Sequence, residues 1–287
     1  MADERKWKHK LFGLMLVLPS FFVICILVVY PIGRSVALSF TDPATGAFSF
    51  INYHQIFTER FMVGNIKYTL VIVAFTVLIT AVVSYLLALY LSFTDSWFSR
   101  AISKLYLIPR FIPTIVAVYA IMNVVKDTGA LNRIILALFH VDFKPSLMYT
   151  KQGIILANTW FNIPFSTMLI SAALQGIPRS IIESARDVGA GKLRVFFSMI
   201  LPLSFNDFLI AITFVFMGNV AAFTTPYLMG SRAPLMLGVA LQQEFSAYQH
   251  MEKSAAISVF LFLLSSLMGF FYIYKSLKAN KWDVSDR

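Results

Sequence analysis

Long apolar runs separated by short polar segments dominate the chain. Stretches free of Asp, Glu, Lys and Arg extend from Leu11 to Gly33, Tyr68 to Thr94, Gln152 to Pro178, Phe208 to Ser231 and Ser254 to Tyr274. Each is long enough to cross a hydrocarbon layer as a helix. A sixth run, LYLIPRFIPTIVAVYAIMNVV, begins at Leu105 and contains Arg110 and two prolines. It predicts a span whose charge sits at an end or against protein, because lipid exposure at mid-depth is costly. The pattern thus predicts an all-α membrane protein with spans at about 11–33, 68–94, 105–125, 152–178, 205–231 and 254–275, in a single domain over 1–287.

Composition agrees, with 58% hydrophobic and 13% charged residues against the half-apolar, quarter-charged mix of soluble domains. The net charge of +10 comes from short clusters flanking the apolar runs, not from a continuous stripe, so it orients the chain in a membrane and implies no nucleic acid. With the amino terminus inside, the inner segments (1–10, 94–104, 178–202, 275–287) hold 14 Lys and Arg and the outer segments 9, which places both termini in the cytoplasm. The YKSLKANKW segment, with Trp282, suits an inner interface anchor. Cys25 is alone in the first apolar run, so no disulfide or Cys-based metal site forms within the chain. That run continues to Ile32 without a small-residue cleavage site, which predicts a retained span and not a signal peptide. On the outer side, GALNRIILALF carries Leu131, Ile134, Ile135 and Leu138 at helical spacing. It predicts a helix that packs on the bundle or the membrane surface, or that meets an external protein.

The inner segment between the fourth and fifth spans, GIPRSIIESARDVGAGKLRVFFSMILPL, is neither a tight turn nor a polar tail. Ile181, Ile182, Ala185 and Val188 recur at i, i+3 and i+4, predicting a short amphipathic helix over 180–188. Gly189 and Gly191 permit a turn, and a second helical piece runs from Leu193 to Pro202, where the next span begins. The expected product is a knob presenting Glu183, Arg186, Asp187, Lys192 and Arg194 around an apolar ridge. Such a knob either stabilises the bundle or passes force from a protein that grips it.

ESARDVG followed by MILP resembles the hallmark loop of permease subunits in binding-protein-dependent ABC importers, E-A-A-x-x-x-G, nine residues, then I-x-L-P. Glu183, Ala185, Gly189, Leu201 and Pro202 match, with Ser184 and Met199 as departures, and Ala190 to Ser198 make the nine-residue gap. SFTD after the first span, the IP-rich start of the third and DTGALNRI are similar to the same superfamily. The resemblance implies a type I importer in the bacterial inner membrane, with a cytoplasmic coupling helix. Its implied partners are two ATPase subunits, a second permease subunit, related or identical, an extracytoplasmic solute-binding protein and membrane lipid. Glu183, Ser184, Ala185, Asp187, Gly189, Ala190, Leu201 and Pro202 become the ATPase-coupling residues. Within them, Glu183 would meet a basic residue of the ATPase, Ala185 would pack in its groove and Gly189 would make the turn. ATP and magnesium would be bound by the partner ATPase.

Within the chain itself no cofactor site or catalytic constellation is expected. The GAGK at Gly189 to Lys192 is not a phosphate-binding loop, because Leu193 stands where a Ser or Thr would hold magnesium. His9, His54, His140 and His250 have no metal-ligand spacing, and Arg110 and Asp207 read as helix-end charges more than as a proton relay. Polar and aromatic residues at mid-depth, Asn123, Asn158, Trp160, Asn162, Asn219 and Tyr227, are either interhelical contacts or candidates for the substrate pathway. Phe223, Pro226, Leu228 and Gly230 resemble the F-x-x-P-x-L-x-G pattern of the polyamine and ferric-iron branch. The amino-terminal third, with SFTD and NYHQIF, is equally similar to sugar-type permeases. The rivals from other classes are a secondary transporter or channel, which leaves the 180–202 knob without purpose, and a structural scaffold.

Overall fold

The computed structural model describes residues 15–283, with side chains described to Tyr274. The basic cluster at 1–10 and the side chains of the 275–282 anchor lie outside the described residues. Twelve helices follow in order among the described residues. They are α1 (Met15–Ser39), α2 (Ile51–Thr58), α3 (Arg60–Phe93), α4 (Trp97–Leu105), α5 (Thr114–Val125), α6 (Ala130–Phe139), α7 (Lys151–Gln175), α8 (Arg179–Asp187), α9 (Lys192–Val220), α10 (Thr224–Met229), α11 (Leu237–Ser246) and α12 (Met251–Asp283). Among the described residues six stretches are long and apolar enough to span, the third formed by α5 and α6 together.

The helices exceed the apolar runs in instructive places. α3 starts at Arg60, seven residues before Lys67, because polar side chains at a membrane boundary do not stop a helix. In the third span the helix begins only at Thr114, after a 3₁₀ turn at Ile108–Phe111 and Pro113. In the fifth, Pro202 does not mark a beginning. α9 is continuous from Lys192, and a π-turn over Phe196–Ile200 precedes the proline, which removes one backbone donor at a place where the ladder is already shifted. α9 ends at Val220, short of the expected 231, and α10 is a separate short helix.

The chain divides into two compact units. The first holds the residues up to Glu59 with Leu241–Phe260. Here Asn52, fully buried, donates to the carbonyls of Ser39 (3.0 Å) and Thr41 (2.9 Å), and Phe40 stacks among Phe48, Phe50 and Tyr53. These bonds and rings fix the SFTD turn against α2. The second unit holds Arg60–Ala240 and the residues from Leu261. In it α3, α7 and α9 pack on one another, with Ala88, Ile170, Leu174 and Ala211 buried in one cluster.

Candidate functional site

The segment after α7 folds into two helices around a tight turn, all within the second unit. Pro178 ends the chain's descent from α7, and its fixed φ of −58° leads into α8. The helix is then closed at its other end by a pair of reversed hydrogen bonds. The Ala190 N–H donates to the Ala185 carbonyl (3.0 Å) and the Gly189 N–H to the Arg186 carbonyl (2.8 Å), a Schellman closure. Gly189 has φ +84°, in the left-handed region where a side chain is strained, so glycine is the residue this turn requires. Gly191 returns to extended backbone and α9 follows at once.

The expected outward apolar ridge is divided in two. Ile182 and Ala185 are buried, packed with Ile177, Val195 and Ile200 against Tyr85 and Ala88 of α3, Ile170 and Leu174 of α7 and Ala211 of α9. Ala190, Met199 and Leu201 pack at the edge of this cluster. Val188 (85% exposed), Leu193 (76%), Phe197 (61%) and Ile181 (36%) project outward, beside exposed Glu183, Ser184, Arg186, Asp187, Gly189, Lys192 and Arg194. Pro202 is also exposed. Ala185, expected in a partner's groove, is instead turned into the chain's own core. The pattern showed which residues share a face but not what that face meets. The knob is thus packed against α3, α7 and α9. Beside it a cleft of about 440 Å³ separates α8 from α4, lined in part by Asp95, Arg100, Arg179, Glu183 and Arg186.

Two sets of contacts that the residue pattern did not signal join α3 to later parts of the chain. The Tyr85 hydroxyl lies 2.6 Å from that of Ser204, and the Tyr85 ring meets Phe196 and Phe208 edge-on. Farther along α3, the Asn65 side-chain oxygen accepts from the Leu235 N–H (2.8 Å) and the Thr69 hydroxyl from the Leu237 N–H (2.9 Å). These two bonds hold the start of α11. A buried Asn and Thr four residues apart in an apolar helix are the signal that could have revealed them.

The six candidate pathway residues lie on α5, α7, α9 and α10. Asn162 donates to the Asn158 carbonyl (2.7 Å), Asn219 to that of Val215 (2.6 Å) and Asn123 to that of Tyr119 (3.0 Å), so three of them bond within their own helices. Trp160 meets Phe161, and Tyr227 stacks on Phe223 with centroids 4.9 Å apart. The Asn158 side-chain nitrogen is buried without a partner. Arg110 sits on the 3₁₀ turn with its guanidinium 5.0 Å from the Phe165 ring centre, a cation–π contact with α7. At Gly230, the last position of the F-x-x-P-x-L-x-G pattern, an added Cβ would run into the Pro226 carbonyl oxygen, so glycine is required to close α10.

Two clusters of charged side chains lie elsewhere. In the first unit, the carboxylate of largely buried Glu244 is 2.8 Å from His250 Nδ1 and 3.2 Å from Lys253 Nζ, which also reaches Glu59 at 2.8 Å. After α6, Asp142 accepts from Lys144 (2.9 Å) and Asn132 (3.1 Å). The hydrogen bond from Lys144, then that from Asn132, lowers the Asp142 carboxyl below its ordinary range, and the same contact raises Lys144.

Comparison with known proteins bears on this arrangement. Residues 84–277, which include Tyr85, α8, α9 and α10, match the family described as binding-protein-dependent transport system inner membrane component. The spermidine/putrescine transport system permease protein PotB of Salmonella typhimurium is 25% identical over 216 residues, covering 72% of this chain and 75% of that protein. The sulfoquinovosyl glycerol transport system permease protein SmoG of Agrobacterium fabrum is 28% identical over 283 residues, covering 92% of this chain and 90% of that one. Among solved structures, a bacterial ABC transporter that imports the acidic polysaccharide alginate aligns with a TM-score of 0.83 at 16% identity, over 97% of this chain and 99% of the other.

Proposed function

This chain belongs to the family of binding-protein-dependent transport system inner membrane components, a permease subunit of ATP-driven import, and from that premise we propose how its parts divide the work. The chain supplies half of a solute pathway, and a second permease subunit, related or identical, supplies the other half. Two ATPase subunits bind ATP and magnesium, and an extracytoplasmic binding protein delivers the solute. The α8 turn and both termini face the cytoplasm. The observation that carries this reading is the seating of α8, whose inner face is wedged among three spans while its outer face offers Glu183 and Asp187, with Val188 and Leu193 exposed on the turn and the start of α9. Glu183 and Asp187 meet basic groups of the ATPase, Gly189 shapes the turn, and Ala185 acts from inside by locking the helix to the spans. Closure of the ATPase pair then pushes α8, and the push reaches α3, α7 and α9 together.

A polyamine-like cargo, or another small organic or ferric solute, is the first reading. It is supported by the similarity to the PotB permease and by Phe223, Pro226, Leu228 and Gly230. A sugar-type cargo is the second, favoured by the longer similarity to the SmoG permease. The test is reconstitution in proteoliposomes with the ATPase and binding protein encoded beside this chain. No uptake by the chain alone is expected, and ATP-dependent uptake of labelled spermidine once all components are present. ATP-dependent uptake of a glycoside but not of spermidine would select the sugar reading, and uptake by the chain alone would overturn the importer reading.

A further inference from the structure

Helix α4 joins the second and third spans, and only residues 94–96 separate it from the end of α3 at Phe93. That tether holds it at the membrane boundary. Ser96 caps it by accepting from the Ser99 N–H (3.0 Å), and Tyr90 of α3 bonds the same hydroxyl (3.1 Å). Ser99 is buried, and Ile102 and Tyr106 on the same face are half-buried. The opposite face carries Trp97, Arg100, Ala101, Lys104 and Leu105, which together line a shallow groove of about 430 Å³. Trp97 is 77% exposed and Leu105 57%. Arg100 has one ion pair, to Asp95 at 3.7 Å, in which both side chains are largely exposed, so water and salt screen it and the guanidinium remains available.

We propose that this face of α4 docks on anionic phospholipid of the leaflet it borders, with Trp97 and Leu105 entering the headgroup boundary and Arg100 and Lys104 holding lipid phosphates. An indole and a leucine on one face with two cations beside them are the composition of an interfacial helix, and the charges complement anionic headgroups but not zwitterionic ones. The short tether to α3 keeps the helix within reach of the bilayer surface. Arg100 also borders the cleft beside α8, so it stands between lipid held here and the element that the previous reading assigns to coupling. The lipid contact itself does not depend on that reading.

The test uses the full permease assembly with its ATPase in nanodiscs, in a variant keeping Trp97 as this chain's sole tryptophan by changing Trp7, Trp160 and Trp282 to Phe, with the signal of the same assembly carrying Trp97→Phe as well subtracted. Brominated phosphatidylglycerol is compared with brominated phosphatidylcholine at equal fraction. Quenching of Trp97 is expected to favour the anionic lipid by about fivefold in effective concentration for each basic residue engaged. Arg100→Gln with Lys104→Gln is expected to remove the preference while quenching persists, and inorganic phosphate is expected not to compete. Equal quenching by both lipids, competition by free phosphate, or unquenched water-like emission from Trp97 would overturn the proposal. So would shielding of Trp97 from both lipids only when the ATPase is bound, because the face would then be a protein-docking surface. If the triple Trp replacement fails to assemble, a nitroxide attached through Trp97→Cys, in a chain also carrying Cys25→Ser, reads the same depth and lipid dependence.

Discussion

The hydroxyl oxygens of Tyr85 and Ser204 are 2.6 Å apart although 119 positions separate them in the chain. The pair joins α3 to α9 just beyond the π-turn, and Ser204 also donates to the Ile200 carbonyl at 2.8 Å. On the coupling proposed above, motion of the α8 turn reaches α3 through this bond as well as through packing. Tyr85→Phe keeps the ring against Phe196 and Phe208 and deletes only the hydroxyl. It is expected to cost about 1 kcal/mol in the thermal stability of the purified assembly and to lower solute moved per ATP hydrolysed. Tyr85→Ala, which also empties the ring's site, is expected to cost about 3–5 kcal/mol.

The Gly189 turn yields a sharper prediction, because its φ of +84° belongs to the left-handed region while open space surrounds its Cα. Gly189→Ala meets no neighbouring atom, so its whole penalty is backbone strain, about 1–2 kcal/mol. The expected outcome is weaker co-purification of the ATPase and reduced uptake with normal membrane insertion. Gly191→Ala, at φ −67° and equally open, is expected to leave both readouts unchanged.

What the residue pattern disclosed and what it withheld follow from range. The six apolar runs and the Gly189 turn were legible because each is a property of adjacent residues. Pro202 misled, since a proline can begin a span or ride inside a helix whose ladder is already shifted, and the choice lies in the π-turn. The inward side of Ile182 and Ala185 was hidden for a different reason: an amphipathic face on a membrane-surface helix serves equally to meet a partner or its own bundle. Tyr85 with Ser204, and Asn65 with Leu235, join places 119 and 170 residues apart; the spacing of Asn65 and Thr69 marks one side of a contact, but no local signature names its partner.

The Asp142 and Lys144 pair links the segment after α6 to pH. The folded-state carboxyl lies below its ordinary range, so its contribution is complete above the ordinary carboxylate value and is lost as pH falls through the lowered one. The raised Lys144 makes the opposite statement, with a contribution complete below the ordinary lysine value and lost as pH rises through the raised one. Backbone exchange over residues 127–150 is expected to slow on passing from strongly acidic to neutral pH, after correction for intrinsic rates. Asp142→Asn is expected to abolish that step, and its persistence in the variant would assign it to another group.

Lys253 allows a test of what a nearly buried charge contributes. Its ammonium bridges Glu244 and Glu59, and Glu244 keeps only His250 as a second cationic partner. Because the Glu244 side chain is 9% exposed and that of Lys253 14%, removing one partner strands a charge that water reaches poorly. Lys253→Met is therefore expected to destabilise the first unit by about 3–5 kcal/mol. Replacing both, with Glu244→Leu and Lys253→Met, removes the stranded charge along with the attraction, and is expected to recover most of that loss. The comparison is a double-mutant cycle on thermal unfolding followed by a probe placed in α2. If the double variant is as unstable as the sum of the singles, the two side chains act independently and the ion pair is not what joins them.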